Sequence, residues 1–212
     1  MFCMTADKER PCTSFAVTSA KPSEGKSLTA ANIAISYAML GKRVLLIDAD
    51  MRKPTQRRLW RVEKPTGLCD FLAKISKLEL DKVKDLPLWI VCTGTIPPNP
   101  SELLSSERMK HFVEESAKVY DYIIIDTPPI NTVADAQIVS TYVDGVVLVV
   151  KSGDTTQDEL NEAIDAVRRA GGNLCGTVLN DLNMKSVKYA YKYKYGGKYG
   201  YKYSYSESYE AR

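Results

Sequence analysis

The sequence lacks the long apolar runs, paired cysteines and clustered histidines that mark several classes of protein. It has one histidine, His111, and five cysteines without a CxxC pair, so a zinc site is not expected. No stretch approaches the ~20 consecutive apolar residues of a membrane-spanning helix. Charged residues at 7–10 interrupt any signal-peptide core. We therefore expect a cytoplasmic protein with reduced, mostly buried thiols.

A large excess of charge of one sign is also missing. The formal net charge is +3, from 29 Lys and Arg against 26 Asp and Glu. Such a small surplus does not indicate nucleic acid as the main partner. With 44% hydrophobic and 26% charged residues, the 212-residue chain has the composition of a globular protein with one large core.

Short apolar runs rich in β-branched residues alternate with longer amphipathic stretches. The runs predict strands covered on both faces at 15–19, 44–48, 88–92, 122–126, 145–150 and 176–179. Helices are predicted at 27–40, 101–118, 133–141 and 155–170, with Gly41 and Gly171 as left-handed C-terminal caps. Residues 51–100 are predicted to form loops and short helices over one edge, and Trp60 is interpreted as a packing residue. The pattern predicts an α/β fold with a mainly parallel sheet flanked by helices.

A phosphate-binding loop is predicted between the first strand and the first helix. Residues 20–27, Ala-Lys-Pro-Ser-Glu-Gly-Lys-Ser, match the pattern GxxxxGK[ST] except that Ala20 replaces the first glycine. In this pattern backbone N–H groups wrap the phosphates, the lysine, here Lys26, adds charge at the β- and γ-phosphates, and the hydroxyl of Ser27 binds magnesium. We therefore expect a P-loop NTPase-like fold with ATP and Mg²⁺ as cofactors.

The predicted nucleotide-contacting residues come from this loop and from the end of the last strand. Asn180 would face the base, and a turn-forming role is the alternative for it. The full set is Lys21, Pro22, Ser23, Glu24, Gly25, Lys26, Ser27, Leu28 and Asn180.

Acidic residues stand at the ends of two predicted strands. Asp126 closes the strand at 122–126, where a Walker B carboxylate holds magnesium at the carboxyl edge of the sheet. Asp48 and Asp50 close the strand at 44–48. A single Asp after a strand commonly forms a turn or caps a helix. Three of them beside a phosphate loop favour metal binding.

The C-terminal segment differs in composition from the rest of the chain. From Met184 onward tyrosine alternates with Lys, Gly and Ser, without the aliphatic residues of a core. This composition predicts disorder. We divide the chain into a domain at 1–183 and a flexible tail at 184–212. The tail tyrosines are Tyr189, Tyr191, Tyr193, Tyr195, Tyr199, Tyr201, Tyr203, Tyr205 and Tyr209.

These motifs together resemble those of the bacterial protein-tyrosine kinases called BY-kinases. The segment 48–52, Asp-Ala-Asp-Met-Arg, resembles their Walker A′ motif DxDxR, and P-loop proteins at large lack both this motif and a tyrosine-rich tail. The resemblance implies Ser27, Asp48 and Asp126 as metal-binding residues, with Asp48 and Asp50 acting at the metal and the attacking phenol. It implies a catalytic set of Lys26, Asp48, Asp50, Arg52 and Asp126.

The resemblance implies an ATP-dependent protein-tyrosine kinase that autophosphorylates its tail tyrosines. A phenol with a pKa near 10 is a poor nucleophile, and a carboxylate can orient it and accept its proton. One subunit of a homo-oligomer would present its tail to a neighbouring subunit. The catalytic chain would be recruited to the inner face of the cell membrane by a polysaccharide co-polymerase-type activator, and would regulate capsular or exopolysaccharide synthesis and export. The family's N-terminal ExxRxxR segment has no match here.

Other functions fit parts of the pattern. A ParA/MinD-like ATPase shares the acid after the second strand, and Lys21 occupies the place of its signature lysine, but Pro22 and Ser23 replace its glycines. A nucleotide-sensing scaffold docked on a membrane partner would have the same loop and acids. The tail, with seven Lys and Arg against Glu207 and Glu210, could instead bind single-stranded RNA or an anionic surface.

Overall fold

A computed structural model of the protein describes residues 14–182. The predicted tail at 184–212, its tyrosines and the domain boundary at 183 lie outside the described residues. The strands are β1 Ser14–Ser19, β2 Val44–Asp48, β3 Asp81–Lys82, β4 Leu88–Val91, β5 Tyr122–Asp126, β6 Gly145–Lys151 and β7 Leu174–Asn180. The helices are α1 Lys26–Met39, α2 Gln56–Leu59, α3 Leu68–Leu72, α4 Pro100–Ser105, α5 Glu107–Val119, α6 Asp135–Ser140 and α7 Gln157–Arg169.

The strands form one sheet in the order β3-β4-β2-β5-β1-β6-β7. The strand pairs are parallel except that β3 runs antiparallel to β4 at the edge, so the predicted mainly parallel sheet is confirmed. From β1 the chain moves to β2 on one side of β1 and later to β6 on the other. Ligands of such sheets bind at the carboxyl edge beside this reversal.

Both faces of the sheet are covered by helices. Along β1, Val17 packs into a cluster with the alanines of α1, whereas Ala16 packs into a second cluster with residues of α3 to α7. The α1 side chains buried in that interface are mostly alanines, such as Ala30 and Ala34, which allow the helix axis to lie close to the strands. Because only residues 20–25 separate β1 from α1, this packing fixes both ends of the loop between them.

The predicted helix over 101–118 is wrong in one respect, because the structure breaks it into α4 and α5. Ser106, between them, has φ −65° and ψ 146°, and its Oγ accepts the backbone N–H of Met109 at 3.2 Å. A serine that caps a new helix satisfies an N–H group that would otherwise lack a partner. Local capping chemistry therefore overrides the continuous amphipathic pattern.

The remaining element predictions hold, with small differences at the ends. Gly41 and Gly171 have φ values of +77° and +79°, as expected for left-handed caps after α1 and α7. The region 51–100 contains the short helices α2 and α3, as predicted. It also contains the two-residue strand β3, which the sequence analysis does not predict. No helix among residues 14–182 is both long enough and apolar enough to cross a membrane.

We expect Gly94→Ala to destabilise the protein more than Gly41→Ala. Both glycines have positive φ, +79° and +77°. A Cβ at Gly94 would lie 2.2 Å from Oδ2 of Asp70 and 2.4 Å from the backbone N of Gly67, whereas a Cβ at Gly41 meets no atom within 4 Å. The Gly41 variant should lose about 1–2 kcal/mol from backbone strain, and the Gly94 variant about 1–3 kcal/mol more from steric overlap. Urea unfolding measures both, and equal losses would contradict the steric explanation.

Candidate functional site

The predicted phosphate loop connects β1 to α1, with Gly25 as the N-cap of α1. Gly25 has φ +90°, and a Cβ on it would lie 2.1 Å from Nδ2 of Asn180. That same Nδ2 donates a hydrogen bond to the carbonyl of Glu24 at 3.0 Å. Asn180, predicted to face the base, thus fastens the loop to the end of β7. Only glycine fits this close approach, and the first N–H groups of α1 face an anion site.

A second attachment joins the loop to the segment before α7. The buried carboxylate of Glu24 accepts the backbone N–H of Lys21 at 3.0 Å and the hydroxyl hydrogen of Thr155. Nζ of Lys21 lies 3.2 Å from Oε2 of Glu159 and 3.7 Å from Oδ1 of Asp154. Lys21 and Glu24 are both predicted to contact nucleotide. In the structure their side chains instead bind other groups of the protein and thereby hold the loop in place.

The loop borders a cleft of about 340 Å³ at the carboxyl edge of the sheet. The cleft also meets the segment after β2 and the Pro128-Pro129 turn after β5. Predicted site residues that line it are Pro22, Ser23, Gly25, Lys26, Ser27, Leu28, Asp50 and Arg52. The structure thus brings most of the predicted nucleotide-contacting residues to one cavity, whereas Lys21, Glu24 and Asn180 do not line it.

The predicted acids converge beneath this cleft. Asp48 and Asp126 are direct partners in the parallel register of β2 and β5, and both side chains are fully buried. Nζ of Lys26 lies 2.8 Å from Oδ2 of Asp50 and 3.8 Å from Oδ1 of Asp126. The same Nζ is 3.2 Å from Oγ of Ser27. Lys26 therefore supplies positive charge to a group of acids that repel one another.

Burial and mutual repulsion shift the pKa values of these groups. Burial, followed by the charge of Asp126, raises the pKa of Asp48 to about 8. Burial also raises the pKa of Asp126, although Lys26 opposes the change. Burial lowers the pKa of Lys26, but the charges of Asp126 and Asp50 outweigh it and the net shift is upward. The site is thus short of positive charge, and a bound cation would relieve the repulsion.

Two carboxylate oxygens in this group fit a magnesium ion. Oδ1 of Asp48 and Oδ1 of Asp126 are buried and accept no hydrogen bond from the described residues, an arrangement that is costly without a ligand. Among residues 14–182, no three His, Cys, Asp or Glu side chains form a metal-binding group. Mg²⁺ suits this donor set because it takes one or two carboxylates and completes its shell with water and phosphate oxygens. Asp48, Asp126 and the hydroxyl of Ser27 would hold it.

Arg52, the arginine of the A′ segment, is bonded away from the acids. Its Nε lies 2.8 Å from Oδ2 of Asp135 and its Nη2 lies 3.1 Å from Oδ1 of the same residue. Asp135 is fully buried at the start of α6 and also accepts the hydroxyl hydrogen of Ser101, on α4, at 2.6 Å. Arg52 thus joins the segment after β2 to α4 and α6. Its catalytic role stays a prediction.

Gln56, the first residue of α2, is a site residue that the sequence analysis missed. Its Nε2 donates to Oδ2 of Asp126 and to the carbonyl of Ser27, both at 2.9 Å. Its backbone N–H donates to Oδ2 of Asp48 at 2.9 Å, and its Oε1 accepts the indole N–H of Trp60 at 3.0 Å. The sequence analysis interprets Trp60 as a packing residue, and the structure adds this polar contact. No motif marks either residue, and both lie in the irregular region after β2.

We expect Asp48→Asn to stabilise the metal-free protein. The folded-state pKa of Asp48 is raised to about 8 from 3.8, so the native carboxyl holds a proton that the unfolded chain has lost. Its contribution to stability therefore falls as pH rises from about 4 to about 8. The variant should unfold at a higher temperature than wild type at pH 8, by about 2–4 °C per kcal/mol, with a smaller difference at pH 4. Calorimetry with EDTA measures both, and a variant less stable at pH 8 would contradict the explanation.

Comparison with known proteins assigns the family. Residues 13–174 match the family model described as "AAA domain". Tyrosine-protein kinase YwqD of Bacillus subtilis strain 168 is 43% identical over 189 residues, covering 88% of this chain and 80% of that protein. The crystal structure of the chimerical protein CapA2B2 superposes with a TM-score of 0.79 at 37% identity, covering 82% of this chain and 78% of that one.

The kinase domain of the Escherichia coli tyrosine kinase ETK also superposes with a TM-score of 0.79, at 30% identity, over 91% of this chain and 72% of that one. The family model and the fold support nucleotide binding. The P-loop NTPase-like fold and the resemblance drawn from the motifs are both confirmed. The chain therefore belongs to the bacterial tyrosine-protein kinases and is itself a protein-tyrosine kinase.

Proposed function

We propose that this kinase uses Mg²⁺ and ATP to phosphorylate the tyrosines of its own 184–212 segment, presented by a neighbouring subunit. The observation that carries the proposal is the contact of Lys26 with two of the acids beneath the phosphate loop, 2.8 Å from Asp50 and 3.8 Å from Asp126. A P-loop lysine and carboxylates in one cleft are the groups that phosphoryl transfer needs for charge neutralisation and for activation of a hydroxyl. The sequence supplies acceptor phenols in the same chain.

The acids divide into two roles by their position. Asp48 and Asp126 are fully buried, and Oδ1 of each accepts no hydrogen bond from the described residues, which suits Mg²⁺. The ion would neutralise charge on the phosphates. Asp50 lines the cleft, where an acceptor hydroxyl would arrive. Its Oδ2 binds Nζ of Lys26, and its Oδ1 accepts the backbone N–H of Lys53 at 3.0 Å. Asp50 is therefore the carboxylate that we assign to the phenol proton.

Nucleotide binding would change the partner of Lys26. In the structure its ammonium group is paired with Asp50 at 2.8 Å. Phosphate oxygens at the loop would compete for the same ammonium group, because a P-loop lysine binds the β- and γ-phosphates. If Lys26 turned to the phosphates, Oδ2 of Asp50 would lose its partner and could accept the hydrogen of an acceptor phenol. The pair thus links nucleotide binding to activation of the acceptor.

The loop geometry favours a kinase over a ParA/MinD-like ATPase. Lys21 stands where those ATPases carry their signature lysine, yet here its ammonium group lies 3.2 Å from Glu159 of the same chain. This ion pair holds the Lys21 side chain against its own subunit. Relatives that are 43% and 38% identical to this chain are named tyrosine-protein kinases, which supports the same choice.

We also propose that a polysaccharide co-polymerase-type membrane protein activates this kinase and recruits it to the inner face of the cell membrane. The motif resemblance supports this, and capsular or exopolysaccharide synthesis and export would be the process under control. We further propose that the kinase domain ends at 183 and that 184–212 is a flexible segment, because such a segment could reach the cleft of another subunit.

Incubation with Mg-ATP tests autophosphorylation directly. Phosphate is expected on tyrosines between 189 and 209, increased by the cytosolic peptide of the membrane activator, and absent from Lys26→Ala. Lys118→Ala, a change on the exposed face of α5, is the matched control. Transfer between subunits is tested by mixing full-length Lys26→Ala, as acceptor, with a full-length chain whose nine tail tyrosines are Phe, as donor. ATP hydrolysis without phosphotyrosine in any mixture would favour the ATPase or scaffold functions.

We expect Asp50→Asn to separate nucleotide binding from catalysis. The amide neither competes for the ammonium group of Lys26 nor accepts a phenol proton, so ATP affinity should be unchanged or higher while phosphorylation falls by about 10²–10⁴-fold. Titration calorimetry with ATP and initial rates of phosphotyrosine formation measure the two effects. Asp165→Asn, an exposed change on α7, is the control. A parallel fall in affinity and rate would mean that Asp50 supports the fold of the loop.

A further inference from the structure

The side chain of Gln56 is held in one orientation between the phosphate loop and the Walker B acid. Both hydrogens of its amide are used, one by Oδ2 of Asp126 and one by the carbonyl of Ser27, each at 2.9 Å. The residue is completely buried, so water does not compete for these groups. A buried amide with two donors directed at two acceptors is a specific arrangement, because either acceptor would be left unsatisfied by an apolar side chain.

Trp60 fixes which end of the amide faces the acids. Its indole Nε1 donates to Oε1 of Gln56 at 3.0 Å, and an indole can only donate. A flipped amide would point its oxygen at Asp126 and at the Ser27 carbonyl while facing the indole N–H with a second donor. The ring itself packs against the apolar cluster that includes α1. Trp60 is thus a rigid support for the orientation of Gln56.

Gln56 also contacts the other buried acid through its backbone. Its N–H donates to Oδ2 of Asp48 at 2.9 Å, and the N–H of Thr55 donates to the same oxygen at 3.2 Å. The result is the same for both acids: one oxygen, Oδ2, is occupied by a donor from the start of α2. The other oxygen, Oδ1, is buried and accepts no hydrogen bond from the described residues in either case.

We propose that Gln56 is a positioning residue that directs Oδ1 of Asp48 and Oδ1 of Asp126 toward Mg²⁺, with Trp60 locking its amide. The inference rests on the proposed use of Mg²⁺. By binding the Ser27 carbonyl, Gln56 also sets the distance between the phosphate loop and the two acids. Partners in this outer layer commonly change metal affinity by 10–100-fold when removed. An amide serves better than a carboxylate here, since a further acid would add repulsion.

The test measures how much Mg²⁺ strengthens the binding of ADP, with EDTA as the reference condition. In wild type we expect affinity to be higher with Mg²⁺ than with EDTA. Gln56→Leu, which keeps most of the side-chain volume, should lose about tenfold of the gain from Mg²⁺. The gain is the ratio of the variant's own affinities with Mg²⁺ and with EDTA, so a change in affinity caused by the lost contact with the Ser27 carbonyl does not enter it. Trp60→Phe, which keeps a packed ring and removes only the N–H, should lose a smaller part of the gain. Gln157→Leu, an exposed change at the start of α7, is the control.

The outcomes separate this inference from the proposed function. An unchanged Mg²⁺ gain in folded Gln56→Leu would overturn the role of Gln56 and leave the kinase proposal standing. A wild-type protein with no Mg²⁺ gain would overturn both. If Gln56→Leu does not fold, as judged by circular dichroism, the result for Trp60→Phe decides: an undiminished Mg²⁺ gain in that variant would overturn the lock and the positioning role together.

Discussion

The parallel register of β2 and β5 sets Asp48 directly beside Asp126, and hydrogen bonds between the two strands hold the backbones of these buried acids together. Water is excluded from both, so each raises the cost of ionising the other. The surrounding structure reduces this repulsion without removing it. Lys26 contributes positive charge, and N–H groups from the start of α2 contribute dipoles. The phosphate loop and α2 thus each contribute a group that offsets the repulsion between these two acids.

A single lysine offsets the negative charge of these acids only in part, so the site still lacks positive charge. Were the acids fully paired, a cation would gain little by binding, because it would have to displace existing partners. Instead one oxygen of each acid is occupied, and the other accepts no hydrogen bond from the described residues. The repulsion between the acids therefore destabilises the protein at the place where a bound metal ion would remove it. Functional sites commonly carry such unfavourable interactions, supported by a fold that holds the groups together.

Much of this architecture follows from the sequence, and the exceptions have physical causes. The strands, the loop at 20–27 and the acids at the strand ends were predictable because runs of β-branched residues and Gly-Lys-Ser are local signals. That Asp48 faces Asp126 depends on β2 pairing with β5, which are far apart in the chain, so no local pattern contains it. Strand β3 has two residues and exists only through its pairing with β4. The break at Ser106 was a local signal, but the amphipathic pattern on both sides concealed it.

The same reasoning explains why Gln56 and the partner of Arg52 escaped prediction. A glutamine has no preferred chemistry until its neighbours are known, and here they come from β5, the phosphate loop and Trp60. Arg52 belongs to a recognisable motif, yet the carboxylate that binds it, Asp135, lies at the start of α6. Asp135 is fully buried, so withdrawal of Arg52 toward a phosphate would leave a buried charge whose one remaining side-chain partner among residues 14–182 is the Ser101 hydroxyl. Lys26 differs, because phosphate oxygens would replace Asp50 as its partner. Asp50 would then be available to the acceptor phenol. Lys26 and Arg52 are therefore not equivalent: the geometry favours movement of Lys26 and retention of Arg52.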